Sequence, residues 1–309
     1  MRHQHPPTLS GKPLLHALAA GNVPDTLTNA NLDNCDLTAL PTGLLELTNL
    51  TTLSLYNNQL HEIPANVSRL RQLRTLNISQ NQLAALPESI GDLPHLEMLD
   101  LGHNRLATVP ASLGALANLR FLYISNNRLS HLPSSVSRLI NLRYLNITDN
   151  HFQELPGWIG GLENLIELRL YNNDLTALPP AIGALSALVE LHVQGNRLAS
   201  LPHTIGGLTS LVKLDLQANR LTSLPDSIGS LTALTELNLR FNQLAQLPAR
   251  LTDLHSLEFL DLRANRLTNL PENLDHLPEL RKLDLRWNRL VNWQPCLDRF
   301  ISRGCLVYA

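Results

Sequence analysis

Residues 51–73 read TTLSLYNNQLHEIPANVSRLRQL, and residues 74–96 read RTLNISQNQLAALPESIGDLPHL. The second segment repeats the first, with aliphatic residues, asparagine and proline at matching positions. Self-similarity at a fixed period of about 20–50 residues is the signature of solenoids and related arrays. The 309-residue chain is therefore predicted to be one unit used many times, rather than the separate domains that its length alone suggests.

An asparagine marks the same position of each repeat, at intervals of 23 residues, and Cys35 takes that position one interval before the first of them. Leucine stands five residues before each asparagine and an aliphatic residue three before. One coil reads L-x-x-L-x-L-x-x-N-x-L-x-x-L-P-x-x-I-x-x-L-x-x. The column consists of Asn58, Asn81, Asn104, Asn127, Asn150, Asn173, Asn196, Asn219, Asn242, Asn265 and Asn288.

The columns predict the structure of one coil. The L-x-L alternation predicts a short strand with one face buried, and a buried asparagine amide can bond backbone groups that no sheet satisfies. Proline fixes φ where the chain leaves the strand, and the P-x-x-I-x-x-L spacing predicts a turn or two of helix on the return. Since each coil is covered only by its neighbours, we expect a curved stack with a parallel sheet on its concave side.

Over roughly residues 27–293 these columns resemble the leucine-rich-repeat superfamily, in its 23-residue LP-type class. That class includes plant intracellular Ras-group-related proteins and bacterial cytoplasmic or effector leucine-rich-repeat proteins. The resemblance implies an α/β repeat solenoid: a curved horseshoe with a parallel concave β-sheet, short helical or irregular convex segments, and about twelve coils between terminal caps. It also implies a module for protein–protein interaction.

Both ends of the chain depart from the repeat. Proline and glycine bracket a predicted capping helix at Pro13–Ala20. After the last asparagine we predict a helix near Leu297–Ser302 and a final short strand, in which Leu306 and Tyr308 continue the two buried columns. The predicted parts are an N-terminal tail with capping helix at 1–26, the solenoid at 27–293 and a C-terminal cap at 294–309.

Composition narrows the classes of partner. With 24 Lys+Arg against 26 Asp+Glu, there is no global charge to attract nucleic acid or an anionic membrane. No apolar run reaches the roughly 18–20 residues of a membrane span. Three cysteines are too few and too uneven for a disulfide framework, which favours a reducing compartment. We expect a monomer in the cytoplasm, or in a host cytoplasm if the chain is a delivered effector.

The variable strand positions that point out of the concave sheet are the candidate partner site. In the C-terminal half Arg240, Arg263 and Arg286 share one column, and Arg, Trp and Tyr are enriched at binding hot spots. The alternative is a lattice of exposed ion pairs in which Asp261 and Asp284 bind these arginines, with Asp261 also reaching Arg240. The candidate partner-binding residues are Tyr123, Tyr144, Arg169, Tyr171, His192, Arg240, Phe241, Phe259, Arg263, Arg286 and Trp287.

Motifs for chemistry are missing from the sequence. There is no P-loop, no dinucleotide fingerprint and no H-E-x-x-H. His3 and His5 form an isolated H-x-H, which is too few ligands for a metal site. No catalytic residue, cofactor or metal ligand is predicted, and we expect the protein not to be an enzyme.

The leading hypothesis is a scaffold or adaptor that binds a protein on its concave face, in intracellular signalling or host interaction. One alternative is the recognition module of an effector-type ubiquitin ligase, with Cys296 or Cys305 in the cap as a reactive thiol. The other is a carbohydrate-binding solenoid. Its ring platforms and polar partners would be Tyr123, Tyr144, Tyr171, Asp100 and Asn146.

Overall fold

The computed structural model describes residues 9–291 and 294–309. The sequence predictions on His3, His5 and most of the N-terminal tail lie outside the described residues, as does the side chain of Cys296. The chain forms two compact units, residues 1–150 and 151–309. Neither α-helix of the described chain has the length and apolar character that crossing a membrane requires.

The described part of the first unit contains one α-helix, α1 (Gly11–Ala20), and its strands pair in parallel in chain order. Each later coil closes with a 3-10 helix. The strands are β1 (Leu9–Ser10), β2 (Asn29–Asn31), β3 (Thr52–Ser54), β4 (Thr75–Asn77), β5 (Met98–Asp100), β6 (Phe121–Tyr123) and β7 (Tyr144–Asn146). The 3-10 helices are Leu44–Glu46, Ala65–Arg69, Glu88–Asp92, Ala111–Ala115 and Ser134–Arg138.

The second unit repeats the same arrangement and ends with an α-helix, α2 (Gln294–Ser302). Its strands also pair in parallel in chain order. They are β8 (Glu167–Arg169), β9 (Glu190–His192), β10 (Lys213–Asp215), β11 (Glu236–Asn238), β12 (Phe259–Asp261), β13 (Lys282–Asp284) and β14 (Leu306–Tyr308). The 3-10 helices are Gly157–Gly161, Pro180–Ala184, His203–Gly207, Asp226–Ser230, Ala249–Asp253 and Leu274–His276.

The strands hold the predicted register. In β4 and β5, for example, Leu76 pairs with Leu99, one period apart, and both leucines are buried while the residues beside them are partly exposed. The predicted α/β repeat solenoid with a parallel sheet is confirmed, since strands β2–β13 supply the twelve expected coils.

The asparagine column ties each coil to its neighbours through backbone groups. Nδ2 of Asn104 donates to the carbonyl oxygens of Ile78 at 3.1 Å and Leu101 at 3.0 Å, and its Oδ1 accepts from the N–H of Leu83 at 3.0 Å. Cys35 lacks an amide, and its own N–H donates to Oδ1 of Asn58 at 3.0 Å. The predicted amide ladder is confirmed. Loss of one of its amides should lower the free energy of unfolding by about 1–3 kcal/mol, because a buried backbone group is left unpaired.

The return segments are short 3-10 helices, so the expected turn or two of helix is confirmed and its hydrogen-bond type is now defined. Pro64 stands just before Ala65–Arg69 at φ −73°, and its carbonyl accepts from the N–H of Val67 at 3.0 Å. This i to i+3 bonding suits a segment of a few residues. Coils approach closely here: a Cβ on Gly91 would lie 2.2 Å from the carbonyl oxygen of Ser112, which explains the recurring glycine.

The N-terminal cap is as predicted, with one addition. Helix α1 covers the expected residues and ends at Gly21, whose φ of 66° is the left-handed conformation common at helix ends. The unpredicted strand β1 precedes it and extends the sheet, with Leu9 opposite Ala30.

The C-terminal cap corrects the predicted register. Helix α2 and strand β14 both form, but Leu283 pairs with Val307 instead of Leu306. The last coil is thus one residue longer than the others, and a one-residue slip exchanges the two faces of a strand. Leu306 and Tyr308, predicted to be buried, are 60% and 41% exposed. A helix replaces the 3-10 segment in this coil, so the 23-residue spacing no longer applies.

Candidate functional site

Two aromatic rings of the second unit lie together on the outward face of its sheet, the face opposite the buried leucines. The ring centroids of Phe241 and Trp287 are 6.4 Å apart with 25° between the planes, and the residues are 47% and 66% exposed. Ala264 holds the same column on the coil between them, and its small side chain leaves room for the rings to meet.

These two rings stand on strained backbone. The residue before each column asparagine has a left-handed φ, near 53° in Asn57 and Asn126. Asn tolerates that region, whereas bulky residues rarely adopt it. Phe241 and Trp287 take it at 56° and 62°, so these positions hold exposed rings at a cost to backbone stability.

Arginines and a tyrosine surround the rings. The guanidinium carbon of Arg240 lies 5.7 Å from the Phe241 ring centroid, and that of Arg286 lies 5.9 Å from Trp287 and 5.1 Å from Tyr308. Such distances permit cation–π attraction. We call Arg240, Phe241, Arg286, Trp287 and Tyr308 the aromatic–arginine cluster.

Sequence reasoning missed Tyr308 because it assumed the wrong register for β14. The repeat spacing places Tyr308 in a buried column. Gly304 is a hint, because its φ of 84° requires a glycine-like position after the helix.

The predicted lattice of ion pairs is present beside the cluster. Asp261 and Asp284 face each other on β12 and β13, and Arg263 bridges them at 2.5 Å and 3.3 Å. Arg286 binds Asp284 at 2.7 Å. Burial alone would raise the pKa of Asp284, but hydrogen bonds from Arg286 and the two guanidinium charges outweigh it and hold that pKa below its usual value.

Arg240 is not part of this lattice of ion pairs. The expected contact between Asp261 and Arg240 is therefore wrong. The guanidinium of Arg240 carries no ion pair within the described chain, because Asp261 binds Arg263 instead. The Nε of Arg240 is buried and has no hydrogen-bond partner among the described residues. An orphaned buried donor is costly, so the Nε of Arg240 is suited to donate a hydrogen bond to an oxygen of a bound molecule.

A shallow depression of about 290 Å³ adjoins these residues. Phe259, predicted as a partner contact and 42% exposed, forms part of its wall. The lining residues are Glu236, Leu237, Asn238, Phe259, Leu260, Asp261, Lys282 and Asp284.

The candidate residues of the first unit are two tyrosines. Tyr123 and Tyr144 occupy neighbouring strands, and their ring centroids lie 4.6 Å apart with 36° between the planes. Phe121, beside them on β6, is 38% exposed. These rings form a small aromatic surface within their own unit.

The remaining candidates stand at the start of the second unit. Arg169 binds Glu167 at 2.5 Å, and His192 hydrogen-bonds Glu190 at 2.8 Å. The side chain of His192 is 11% exposed. Tyr171 is half-buried after the end of β8. Sequence reasoning named no metal ligands, yet Glu167, Glu190 and His192 place potential ligand atoms within 4.8 Å of one another.

The residues of the two alternative functions have structural roles. Oδ1 of Asp100 accepts from the N–H of Gly102 at 2.9 Å, and that of Asn146 from Thr148 at 3.1 Å, so both serve the backbone. Cys305 is buried, and burial raises the pKa of its thiol. The reactive form of cysteine is the thiolate, so this position does not favour a catalytic thiol.

Comparison with protein families gives a consistent result. The family model described as "Leucine-rich repeat region" matches residues 66–137, 126–211 and 191–301, and the model "Leucine rich repeat" matches 25–83. No curated protein matches the chain at a significant level.

Solved structures extend the likeness. A leucine-rich-repeat protein of Leptospira interrogans is 26% identical, with a TM-score of 0.61 over 98% of this chain and 100% of that one. FLRT2, solved in an octameric complex with Latrophilin 3 and Unc5D, is 27% identical with a TM-score of 0.74 over 89% and 88%. The ectodomain of the Arabidopsis thaliana receptor kinase GASSHO1/SCHENGEN3, solved with CASPARIAN STRIP INTEGRITY FACTOR 2, is 27% identical with a TM-score of 0.63. The match covers 97% of this chain but only 43% of that ectodomain.

Proposed function

Because this chain belongs to the leucine-rich-repeat family, we propose that it is a protein-binding module whose partner docks on the aromatic–arginine cluster. The observation that carries the proposal is the pair of exposed rings, Phe241 and Trp287, on left-handed backbone. Other coils place Asn, Asp, Gly, Ala, Gln or His at this left-handed position. A coil that keeps an exposed aromatic ring there sacrifices stability, which is typical of functional surfaces.

The chemistry of the cluster suggests a partner segment that carries both an apolar side chain and a carboxylate. The stacked rings offer an apolar surface, and Arg240 offers a guanidinium with no carboxylate of its own in the described chain. Arg263 contributes less, because Asp261 and Asp284 already neutralise it.

Relatives support the general mode of action. FLRT2 is solved with other proteins, and the plant receptor kinase with CASPARIAN STRIP INTEGRITY FACTOR 2. In the same way, this chain would act as a monomeric scaffold or adaptor. Its proposed location is the cytoplasm, or a host cytoplasm after delivery, where reducing conditions suit the free thiols of Cys35 and Cys305. Tyr123, Tyr144, Arg169, Tyr171 and His192 remain predicted contacts.

The proposal is tested with a Phe241→Asn, Trp287→Asn double variant. Proteins captured from cell extract by the wild-type chain are identified, and the dissociation constant of the purified partner is measured for both chains. We expect at least a 30-fold weaker complex, because buried aromatic hot spots contribute about 2 kcal/mol or more each. The variant should unfold at the same or a higher denaturant concentration, because Asn relieves the left-handed strain.

The matched control is Phe121→Asn, which removes an exposed ring from the first unit on extended backbone. It should leave the dissociation constant unchanged. Arg263 is left intact in all chains, because it bridges two aspartates and its loss would disturb the fold. Equal affinity of the double variant and the wild-type chain would refute docking at this cluster.

A further inference from the structure

Strands β8 and β9 bring a histidine and two glutamates to one point of the second unit. Glu167 and Glu190 pair in register across the two strands, and His192 follows Glu190 by two residues on the same face. The Nε2 atom of His192 lies 2.8 Å from Oε2 of Glu190 and 4.0 Å from Oε1 of Glu167. One ligand atom from each residue falls within 4.8 Å of the others.

The surrounding charges leave this point negative. Like charges directly opposite on neighbouring strands repel, and Arg169 forms an ion pair with Glu167. On the other side Asp215 stands opposite His192, while Lys213, opposite Glu190, binds Glu236 at 3.3 Å. A further positive charge at the two glutamates would therefore lower the repulsion.

A neighbouring polar atom also indicates a missing partner. The Oε1 of Gln194 is buried without a hydrogen-bond donor among the described residues, and Gln194 follows His192 by two residues on the same face. A buried acceptor of this kind normally has a partner, either in the protein or in ordered water.

We propose that Glu167, Glu190 and His192 bind a first-row transition-metal dication, represented by Zn²⁺. One imidazole nitrogen and two carboxylate oxygens are ordinary Zn²⁺ ligands. Calcium and magnesium prefer oxygen-only ligand sets, so they fit less well. The side chain of Glu190 is 39% exposed, so a bound metal keeps an open position toward solvent. Arg169 holds Glu167 in the ion pair and competes with the metal for that carboxylate.

The test is calorimetric titration of the full chain with Zn²⁺, together with Co²⁺ absorption as a spectroscopic readout of coordination. His3 and His5 are changed to Ala in a parallel background, so that the H-x-H pair does not contribute. We expect one strong Zn²⁺ site per chain in both backgrounds, no comparable Mg²⁺ binding, and a higher unfolding temperature with Zn²⁺ present.

Variants connect the binding to these residues. His192→Ala and Glu190→Gln should each weaken Zn²⁺ binding at least tenfold. Loss of a residue that only orients a metal ligand already weakens binding about 10–100-fold, and these two residues are themselves proposed ligands. Arg169→Gln should tighten it, because the competing cation is gone. His103→Ala and Glu236→Gln are matched controls outside the cluster and should leave affinity unchanged. Unaltered Zn²⁺ binding in His192→Ala, or no Zn²⁺ site in the wild-type chain, would overturn the proposal.

Discussion

At the scale of single residues, two aspartates in one column have opposite effects on stability. Asp100 and Asp284 each precede an N–H that the sheet leaves unpaired, and each accepts a hydrogen bond from it, at 2.9 Å and 3.4 Å. Burial raises the pKa of Asp100 despite bonds from Gly102 and Ser79. Beside Asp284, Arg286 and Arg263 reverse the effect of burial and lower its pKa. Folding therefore disfavours the negative charge of Asp100 and favours that of Asp284.

The two Asn substitutions should reveal these opposite signs. At pH 7 we expect Asp284→Asn to lower the free energy of unfolding by about 1–2 kcal/mol, since charge-assisted hydrogen bonds are lost. We expect Asp100→Asn to be neutral or stabilising, because Asn keeps the Oδ1 acceptor and removes a desolvated charge. Denaturant unfolding of both variants and the wild-type chain measures the difference.

The pH dependence follows from linkage. A lowered pKa stabilises above the unfolded value of about 3.9 and loses that effect as pH falls through the folded value. The difference in free energy of unfolding between the wild-type chain and Asp284→Asn should therefore shrink as the pH falls below about 4. A raised pKa acts against stability at neutral pH, so any gain from Asp100→Asn should also vanish as pH falls toward the unfolded pKa. A constant deficit of Asp284→Asn across this range would contradict the charge argument.

At the scale of elements, the register of each strand decides which side chains face out. In β3–β13 the 23-residue spacing keeps leucine at the buried centre of the strand, as in the pair Leu237 and Leu260. In β14 the cap helix adds one residue, and the pairing of Lys282 with Leu306 moves Tyr308 to the outward face. The aromatic–arginine cluster exists in its observed form because of that slip.

Acidic substitutions in β14 distinguish the two registers. Val307→Asp should lower the free energy of unfolding by about 1–3 kcal/mol, because it places a carboxylate toward the buried side. Leu306→Asp should change it by less than about 0.5 kcal/mol, as expected for an exposed position. The measurement is thermal and denaturant unfolding of each single variant. The reverse order of effects would support the simple repeat spacing instead.

At the scale of the whole molecule, stability is a sum over neighbouring coils. Among the described residues, the long-range bonds of the amide ladder join neighbouring coils, as between Asn104 and Leu83. The contacts that a coil makes are therefore the same contacts that its neighbour makes, and no single coil is indispensable to the fold.

Deleting one period should leave a folded protein. Removal of residues 59–81, which takes out β4, would bring β3 and β5 together with their leucine columns still aligned. We expect native-like circular dichroism and an unfolding temperature lower by a few degrees, since one interface is lost.

Removal of residues 59–80 is the matched control. That deletion is one residue shorter, so it leaves an extra residue between β3 and β5 and puts their leucine columns out of step. It should therefore lower the unfolding temperature more than removal of the full period does. Similar stability of the two deletions would argue against register as the determinant.

The sequence alone determined the coil, because its columns are local and repeated. Every repeat has the same spacing of apolar residues, asparagine and proline. That spacing predicts the buried leucines, the bonded asparagine amides and the proline turns. The outward positions were predictable for the same reason, and Phe241 and Trp287 could be named from it. The 3-10 form of the return segments was not, since helix-like spacing does not distinguish hydrogen-bond types in a five-residue segment.

Only the tertiary structure decided which outward side chains work together. Asp261 binds Arg263 and not Arg240. The rings of Phe241 and Trp287 stack across Ala264, and Tyr308 lies beside Arg286. Each of these contacts depends on distances of a few ångströms between separate coils. The convergence of Glu167, Glu190 and His192 has the same origin. Spacing specifies which face a residue occupies, whereas the partner of a side chain on that face depends on rotamers and register in three dimensions.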